Sequence, residues 1–205
     1  MRILFQGDSI TDGGRDRSDC HHLGGGYAYY AAREIQSRHP YLELEFMNYG
    51  LSGRQSGDLV ACWKEQCTDL QPDFVSVLIG VNDTWHRAEK REWLPNQKFE
   101  ENYQYILEEI KRKTNAKILM LEQFLLPVQD KEFFREDVFP KILITRKLAR
   151  QYADAFIPLD GIFAAACVER DVQYWSEDGV HPTLNSCKLI GTLYANAFDH
   201  IYYKK

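Results

Sequence analysis

Apolar residues along this chain form two patterns, short β-rich runs and longer stretches with helical spacing. The β-rich runs are RILFQ, LELEFMNYG, FVSVLIG, AKILMLEQF and AFIPLD. FVSVLIG is almost entirely apolar, which is typical of a strand that is buried on both faces of a parallel sheet. The five runs therefore predict five strands.

The stretches between these runs have the spacing of amphipathic helices. Tyr103, Ile106, Leu107 and Ile110 lie on one face of such a helix, and the charged residues of EENYQYILEEIKRKT take the other face. Four more helices are predicted over GYAYYAAREIQSRH, DLVACWKEQCTDL, FPKILITRKLARQYA and PTLNSCKLIGTLYANAFDHIYY. Alternation of strand and helix predicts a three-layer α/β/α fold with a five-stranded parallel sheet. No repeat or linker divides the sequence, so we expect one domain over residues 1–205.

Composition and charge narrow the classes of function. The net charge of -5 leaves no basic surface of the kind that a phosphate backbone requires, so nucleic acid is not an expected partner. No stretch approaches the roughly 20 apolar residues of a membrane span, and the first ten residues lack the apolar core of a signal peptide, which predicts a cytoplasmic protein without membrane contact. Five scattered cysteines with no CxxC pair predict reduced thiols, and we expect neither a metal site nor a cofactor.

Polar residues follow three of the predicted strands at the point where each strand ends. GDS follows the first strand, NYG the second and GVND the third. Because the carboxyl ends of parallel strands meet at one edge of the sheet, where ligands bind, we expect the three clusters to face the same crevice.

Ser9, in the first of these clusters, is a candidate nucleophile that requires a base. His181 in SEDGVHPT is the candidate base, because Asp178 could fold back from three residues earlier and fix its tautomer, leaving the other ring nitrogen for Ser9. The spacing is equally compatible with a structural interpretation, in which Asp178 caps a turn and His181 begins the last helix.

Acyl transfer also requires hydrogen-bond donors for the developing oxyanion. The loops offer the backbone N–H of Ser9, at the expected N-terminus of a helix, the N–H of Gly50 and the side-chain amide of Asn82. Taken singly, Gly50 is more typical of a turn glycine, and Asn82 of a loop residue that bonds its own backbone.

Taken together, GDSI, NYGLSG, IGVND and DGVHP resemble, in order and spacing, the four sequence blocks of the SGNH hydrolases, also called GDSL-type esterases. The resemblance covers nearly the whole chain, with Ile10 where leucine is commoner. It implies a flavodoxin-like SGNH hydrolase fold and a metal-free serine esterase. By position, it implies that Ser9 is the nucleophile, that His181 is the general base and acid oriented by Asp178, and that the three donors named above form the oxyanion hole.

The substrate is less directly indicated. Trp85 follows GVND and Trp175 precedes Asp178, and indole faces stack on sugar rings, although both could equally pack the loops. The polar, glycine-rich segment TDGGRDRSDCHHLGGGY lacks the aliphatic residues of a lipid groove. These features resemble the branch that includes bacterial acetylxylan esterases and other carbohydrate deacetylases, which implies an acetylated oligosaccharide as substrate and a homo-oligomeric assembly.

Acidic residues near Ser9 admit other roles. Asp8 is a further candidate for the substrate site. A metal site that combines it with His181 is disfavoured, because hard cations require clustered carboxylates and those at the strand ends occur singly. Asp12, Asp16 and Asp19 are interpreted as solvated loop charges.

Three functions remain to be compared. The first is a serine esterase that removes short acyl groups, above all acetyl, from carbohydrates such as xylo-oligosaccharides. The second is a lysophospholipase or acyl thioesterase on the same triad. The third is a catalytically inactive, carbohydrate-binding relative, against which the intact set of Ser9, Asn82, Asp178 and His181 argues.

Overall fold

All five predicted strands form, and they pair in parallel into one sheet. The computed structural model describes residues 1–204. The strands are β1 (Arg2–Gly7), β2 (Glu45–Asn48), β3 (Phe74–Leu78), β4 (Lys117–Leu121) and β5 (Ala155–Ile157). Their order across the sheet is β2-β1-β3-β4-β5, the doubly wound order of flavodoxin-like folds. The chain reverses direction across the sheet at β1, between β2 and β3.

Helices follow each strand and cover both faces of the sheet. Within residues 1–204 the α-helices are α1 (Ser9–Asp12), α2 (Tyr27–Arg38), α3 (Ser56–Gln66), α4 (Val81–Trp85), α5 (Asn96–Lys113), α6 (Arg135–Tyr152), α7 (Leu159–Glu169), α8 (Val172–Trp175) and α9 (Leu184–Tyr203). Short 3₁₀ helices lie at Thr68–Leu70, Ala88–Lys90 and Gln129–Phe134. None of these helices is long and apolar enough to cross a membrane.

The core lies in two layers, one on each face of the sheet. Phe74 and Leu78 of β3 pack with α2, α7 and α9, while Val75 and Val77 pack with α3, α5 and α6. All four side chains are almost fully buried, as the continuous apolar run predicts for a central strand. The predicted α/β/α layering is confirmed.

The element boundaries differ from the prediction in places that affect the site. Most predicted strands are shorter than their runs, because their last residues already belong to loops. AFIPLD was expected to be a strand throughout, but β5 ends before Pro158 and α7 begins at Leu159. The helix expected to begin at Ser9 is α1. Helices α4, α7 and α8 were not predicted, since α4 and α8 have only five and four residues and α7 lacks a clear polar face.

Candidate active site

Ser9 lies at the carboxyl edge of the sheet, on the first residue of α1. Asp8 caps this helix, because its Oδ1 accepts a hydrogen bond of 3.0 Å from the N–H of Ile10. The junction is tight: a Cβ on Gly7 would lie 2.3 Å from the carbonyl oxygen of Leu78. The strand-to-helix turn therefore holds Ser9 at a fixed place and leaves its side chain partly exposed.

Ser9, His181 and Asp178 form one chain of hydrogen bonds. Ser9 Oγ lies 2.9 Å from His181 Nε2, and His181 Nδ1 lies 2.7 Å from Asp178 Oδ2. Because an ionised carboxylate only accepts, Nδ1 carries the proton and Nε2 is left to accept from the serine hydroxyl. Residues that lie 172 positions apart in the sequence are thus in direct contact.

The loop that carries Asp178 and His181 folds back on itself, as the sequence analysis expected for the first of its two interpretations. A bridge between Ser176 and Pro182 closes the loop, and Ser176 Oγ donates to the carbonyl of His181 at 2.7 Å. Asp178 Oδ1 accepts from the N–H of His181 at 2.8 Å. Ser176 is fully buried, and no motif in the sequence singled it out.

The electrostatics of the pair suit a base that must bind a proton. Although partial burial opposes it, hydrogen bonds from the ring and N–H of His181 and from the N–H of Val180 hold the pKa of Asp178 well below its usual range. The hydrogen bond to Asp178 raises the pKa of His181 above its ordinary value, against partial burial that lowers it. Asp178 is therefore ionised, and it stabilises the imidazolium form of His181.

Asn82 occupies the second residue of α4, directly beyond β3. It is 6% exposed, and its Nδ2 donates one hydrogen to the carbonyl of Arg54 at 3.1 Å. The amide carries two hydrogens, so one N–H remains. Asn82 lines the same cavity as Ser9 and His181.

Gly50 does not line that cavity, which contradicts its predicted role as an oxyanion donor. Its N–H donates to Asn48 Oδ1 at 2.8 Å, in a buried position. A Cβ at this position would lie 2.3 Å from the backbone nitrogen of Asp12, so glycine is required here for the close approach of two backbones.

Gly53, three residues later, is the glycine that lies in the cavity with Ser9 and Asn82. Its φ of +85° is in the left-handed region, and within residues 1–204 its N–H donates no hydrogen bond. The motif NYGLSG contains both glycines, so the sequence signal was present but did not distinguish them.

Comparison with known proteins gives the family. The family model described as GDSL-like lipase/acylhydrolase matches residues 5–185. The chain belongs to this family. The match includes Ser9, Asn82, Asp178 and His181.

This GDSL-like family member is similar in sequence and structure to an acetylxylan esterase and to another GDSL-like protein. An acetylxylan esterase from Geobacillus stearothermophilus is 26% identical over 190 residues, covering 89% of this chain and 87% of the relative. Its crystal structure superimposes with a TM-score of 0.84, over 99% of this chain and 94% of that one. A structure described as a GDSL-like lipase from Parabacteroides merdae is 32% identical, with a TM-score of 0.90 over 97% and 95% of the two chains.

Two cavities of this GDSL-like family member meet at Ser9 and His181. The first, of about 250 Å³, is lined by Ser9, Ser52, Gly53, Asn82, Trp85, His86 and His181. The second, of about 300 Å³, is lined by Ser9, Ile10, Gly13, Gly25, Gly26, His181, Pro182, Leu184 and Cys187. The acyl and alcohol parts of an ester therefore have separate surfaces beside Ser9.

The two candidate tryptophans have different positions. The ring centroid of Trp85 is 5.7 Å from that of His181 and 5.0 Å from Lys131 Nζ, so Trp85 forms a wall of the first cavity. Trp175 instead donates from Nε1 to the carbonyl of Ala166 and packs against Phe163. Trp175 lines neither cavity, so its predicted role in substrate binding is not supported.

Asp8 is also wrongly predicted as a substrate contact, because the residue is fully buried. One oxygen accepts from Ile10, and the other has no hydrogen-bond partner within the described chain. Burial raises the pKa of this carboxyl to about 7. Over residues 1–204, no cluster of three or more His, Cys, Asp or Glu side chains could hold a metal ion.

Proposed function

We propose that this protein is a serine esterase that removes acetyl groups from carbohydrate through a Ser9-His181-Asp178 triad and an acyl-enzyme. The observation that carries the proposal is the continuous hydrogen-bond chain of 2.9 Å and 2.7 Å, placed beside donors that converge on one cavity. Membership of a lipase/acylhydrolase family supports the same class of reaction.

The proposed reaction begins when Ser9 Oγ attacks the ester carbonyl carbon and its proton passes to His181 Nε2. The carbonyl oxygen becomes an oxyanion, which would accept from the N–H groups of Ser9 and Gly53 and from the remaining N–H of Asn82. Collapse of this intermediate breaks the bond to the sugar oxygen, which takes the proton from His181 and leaves as a hydroxyl group. Water then attacks the acetylated Ser9 with His181 again as base, and acetate leaves.

Several features support a small acyl group on a sugar. The first cavity holds the proposed donors, and among the described residues no aliphatic side chain lines it, so a long acyl chain would bury little of its surface there. The indole of Trp85 offers a flat face for a sugar ring.

The acetylxylan esterase from Geobacillus stearothermophilus also has structures of catalytic mutants in which a serine, an aspartate and a histidine are each replaced by alanine. In that protein the aspartate and histidine stand three positions apart, as Asp178 and His181 do.

The experiment is hydrolysis of acetylated xylo-oligosaccharides and of p-nitrophenyl acetate by the wild-type protein and Ser9→Ala. We expect the variant to lose at least 10³-fold in kcat, because within residues 1–204 Ser9 has the one hydroxyl that bonds His181 Nε2. Ser37→Ala is the matched control, since Ser37 is exposed on α2, away from the cavities. Wild-type rates from Ser9→Ala would overturn the proposal.

Acyl-chain length distinguishes the alternatives on the same triad. The rates for p-nitrophenyl esters of two to twelve carbons should fall steadily from acetate. A maximum at eight carbons or more would instead identify a lysophospholipase or acyl thioesterase. Sugar binding without hydrolysis of any acetyl ester would identify an inactive carbohydrate-binding relative.

A further inference from the structure

Gly53 lies in residues 50–56, which comprise the loop that leads into α3 and the first residue of that helix, Ser56, and which we call the Gly53 loop. The two other proposed oxyanion donors lie on different elements, Ser9 on α1 and Asn82 on α4. A functional oxyanion hole requires these three separate elements to be held in register to a few tenths of an ångström. The loop itself has no regular structure before Ser56 that would provide this register.

Asp12 ties one side of the Gly53 loop to the helix of Ser9. Its Oδ2 accepts from the N–H of Ser52 at 3.1 Å and from Ser52 Oγ at 3.2 Å, and it also pairs with Arg17 at 2.8 Å. Asp12 is only 2% exposed, so its interpretation as a solvated loop charge is wrong. Ser52 directly precedes Gly53. Asp12 is the last residue of α1, the single-turn helix whose first residue is Ser9.

Asp83 ties the other side of the loop to the helix of Asn82. Its carboxylate accepts from the N–H of Ser56 at 2.9 Å and from Ser56 Oγ at 2.6 Å. Asp83 and Ser56 are both fully buried. Asp83 directly follows Asn82, whose own amide donates to the carbonyl of Arg54 in the same loop.

We propose that Asp12 and Asp83 are positioning residues that fix the Gly53 N–H relative to Ser9 and Asn82, and thereby set how strongly the site binds an oxyanion. Neither carboxylate lines the two cavities at Ser9, so each acts through the loop rather than on substrate. This inference rests on the proposed function, with Gly53 as a donor.

The chemistry of the two contacts explains why carboxylates occupy these positions. An ionised carboxylate offers only acceptor sites, and bonds to it are about twice as strong as neutral ones. Each carboxylate receives two donors from one serine of the loop. In Asp12 the second oxygen also accepts, from the N–H of Gly14 at 3.1 Å. An asparagine has the same shape but turns an N–H₂ group toward one set of these donors, so the isosteric change loosens the loop without opening a cavity.

The test compares Asp12→Asn and Asp83→Asn with the wild-type protein on p-nitrophenyl acetate. We expect kcat to fall roughly 10- to 100-fold and KM to stay within about twofold, because misplacement of a donor weakens transition-state binding more than ground-state binding. Inhibition by phenylboronic acid, which forms a tetrahedral adduct on a serine oxygen, should weaken by the same factor as kcat/KM. If the two aspartates had a merely structural role, the substitutions would lower the midpoint of thermal unfolding, but inhibition by phenylboronic acid would not weaken in proportion to kcat/KM.

Matched controls are available close to each site. Asp16→Asn changes an exposed aspartate of the loop after α1, whose carboxylate accepts from the N–H of Ser18, and Glu89→Gln changes an exposed glutamate of the 3₁₀ helix after α4. Both should retain kcat within about twofold. If either buried variant fails to fold, Ser56→Ala removes one donor to Asp83 with a smaller perturbation, and it should lower kcat about three- to tenfold.

Two outcomes would overturn the inference: folded Asp12→Asn and Asp83→Asn proteins with wild-type kcat, or a lowered kcat with unchanged boronic acid affinity. Neither would affect the proposed function as long as Ser9→Ala remains inactive. An active Ser9→Ala protein would remove the proposed function first, and this inference with it.

Discussion

At the residue scale, Asn82 is oriented before any substrate arrives, because Arg54 already accepts one of its two amide hydrogens. Replacing Asn82 by alanine should lower kcat by about 10²- to 10³-fold, by analogy with loss of one donor from other oxyanion holes. Steady-state kinetics on p-nitrophenyl acetate would measure this, with exposed Asn115→Ala as the control. A loss below tenfold would remove Asn82 from the oxyanion hole.

The pH dependence of the reaction is also set by a single residue, His181. The proposed mechanism requires neutral His181, and the hydrogen bond to Asp178 raises the His181 pKa above the ordinary 6.5. Activity should therefore fall as the pH drops through a midpoint above 6.5, measured from kcat/KM between pH 5 and 9. Asp178→Asn should lower the rate and shift the midpoint to lower pH. A wild-type midpoint below 6.5 would contradict this.

The sequence predicted the positions of the side chains at the site, but it did not predict which backbone N–H of the loop after β2 faces the cavity. Ser9, Asn82, Asp178 and His181 were all expected at one edge of the sheet, and the structure places them there, since strand ends fix where these residues emerge. Gly50 was chosen wrongly. Which N–H of a loop faces a cavity depends on φ and ψ at each residue, and these angles cannot be predicted from the spacing of residues in the sequence.

At the scale of elements, apolar patterns were enough for the strands and the long helices. Helices α1 and α4, which carry Ser9 and Asn82, are too short to show a period, so only the turn at Ser9 indicated a helix start and α4 was missed. Strand ends were overestimated, because apolar residues continue into loops that the helices then cover.

Close approach between elements gives a prediction for Gly50, where the Gly53 loop packs on α1. Gly50→Ala would place a Cβ 2.3 Å from the nitrogen of Asp12 and 2.6 Å from the carbonyl carbon of Thr11. Because both are backbone atoms, we expect the free energy of unfolding to fall by about 1–3 kcal/mol, measured by urea denaturation.

Gly57→Ala is the control for Gly50→Ala. It lies in α3, and its Cβ would meet only Asn102 Nδ2, at 3.5 Å. Alanine is the better helix former, so this change should leave the free energy of unfolding unchanged or raise it by up to about 1 kcal/mol. Equal losses from the two substitutions would exclude close approach as the cause.

At the scale of the whole molecule, the sheet buries carboxyl groups beneath the site at a cost in stability. Burial raises the pKa of Asp8 to about 7 and that of Asp83 to about 6, the latter against hydrogen bonds from Ser56. Ionisation of such groups opposes folding, because water solvates the charge better than the interior does.

Asp8→Asn should therefore stabilise the protein at neutral pH. The folded-state pKa of Asp8, about 7, lies above the ordinary 3.8, so the wild type loses stability as the pH rises between these values and Asp8→Asn does not. Asparagine can still cap α1. The difference in unfolding free energy should grow from pH 4 to 7 toward an upper limit of about 4 kcal/mol, at about 1.36 kcal/mol per pKa unit.

The control for Asp8→Asn is Asp171→Asn, which changes an exposed aspartate that makes no capping hydrogen bond. Urea denaturation at pH 4, 5, 6, 7 and 8 would compare both variants with the wild type. Parallel curves for Asp8→Asn and the wild type would show that the buried carboxyl does not titrate in this range.

The sequence by itself determined the layer architecture, the family and the placement of Ser9, Asn82, Asp178 and His181 at one edge of the sheet. It could do so because periodicity reports burial, and because short motifs at strand ends report which groups share an edge. Only the tertiary structure decided that Gly53 rather than Gly50 faces the cavity, that Asp8 and Asp12 are buried, and that Trp175 packs elsewhere. Those outcomes depend on backbone angles and on contacts between distant segments, which exist only after the chain has folded.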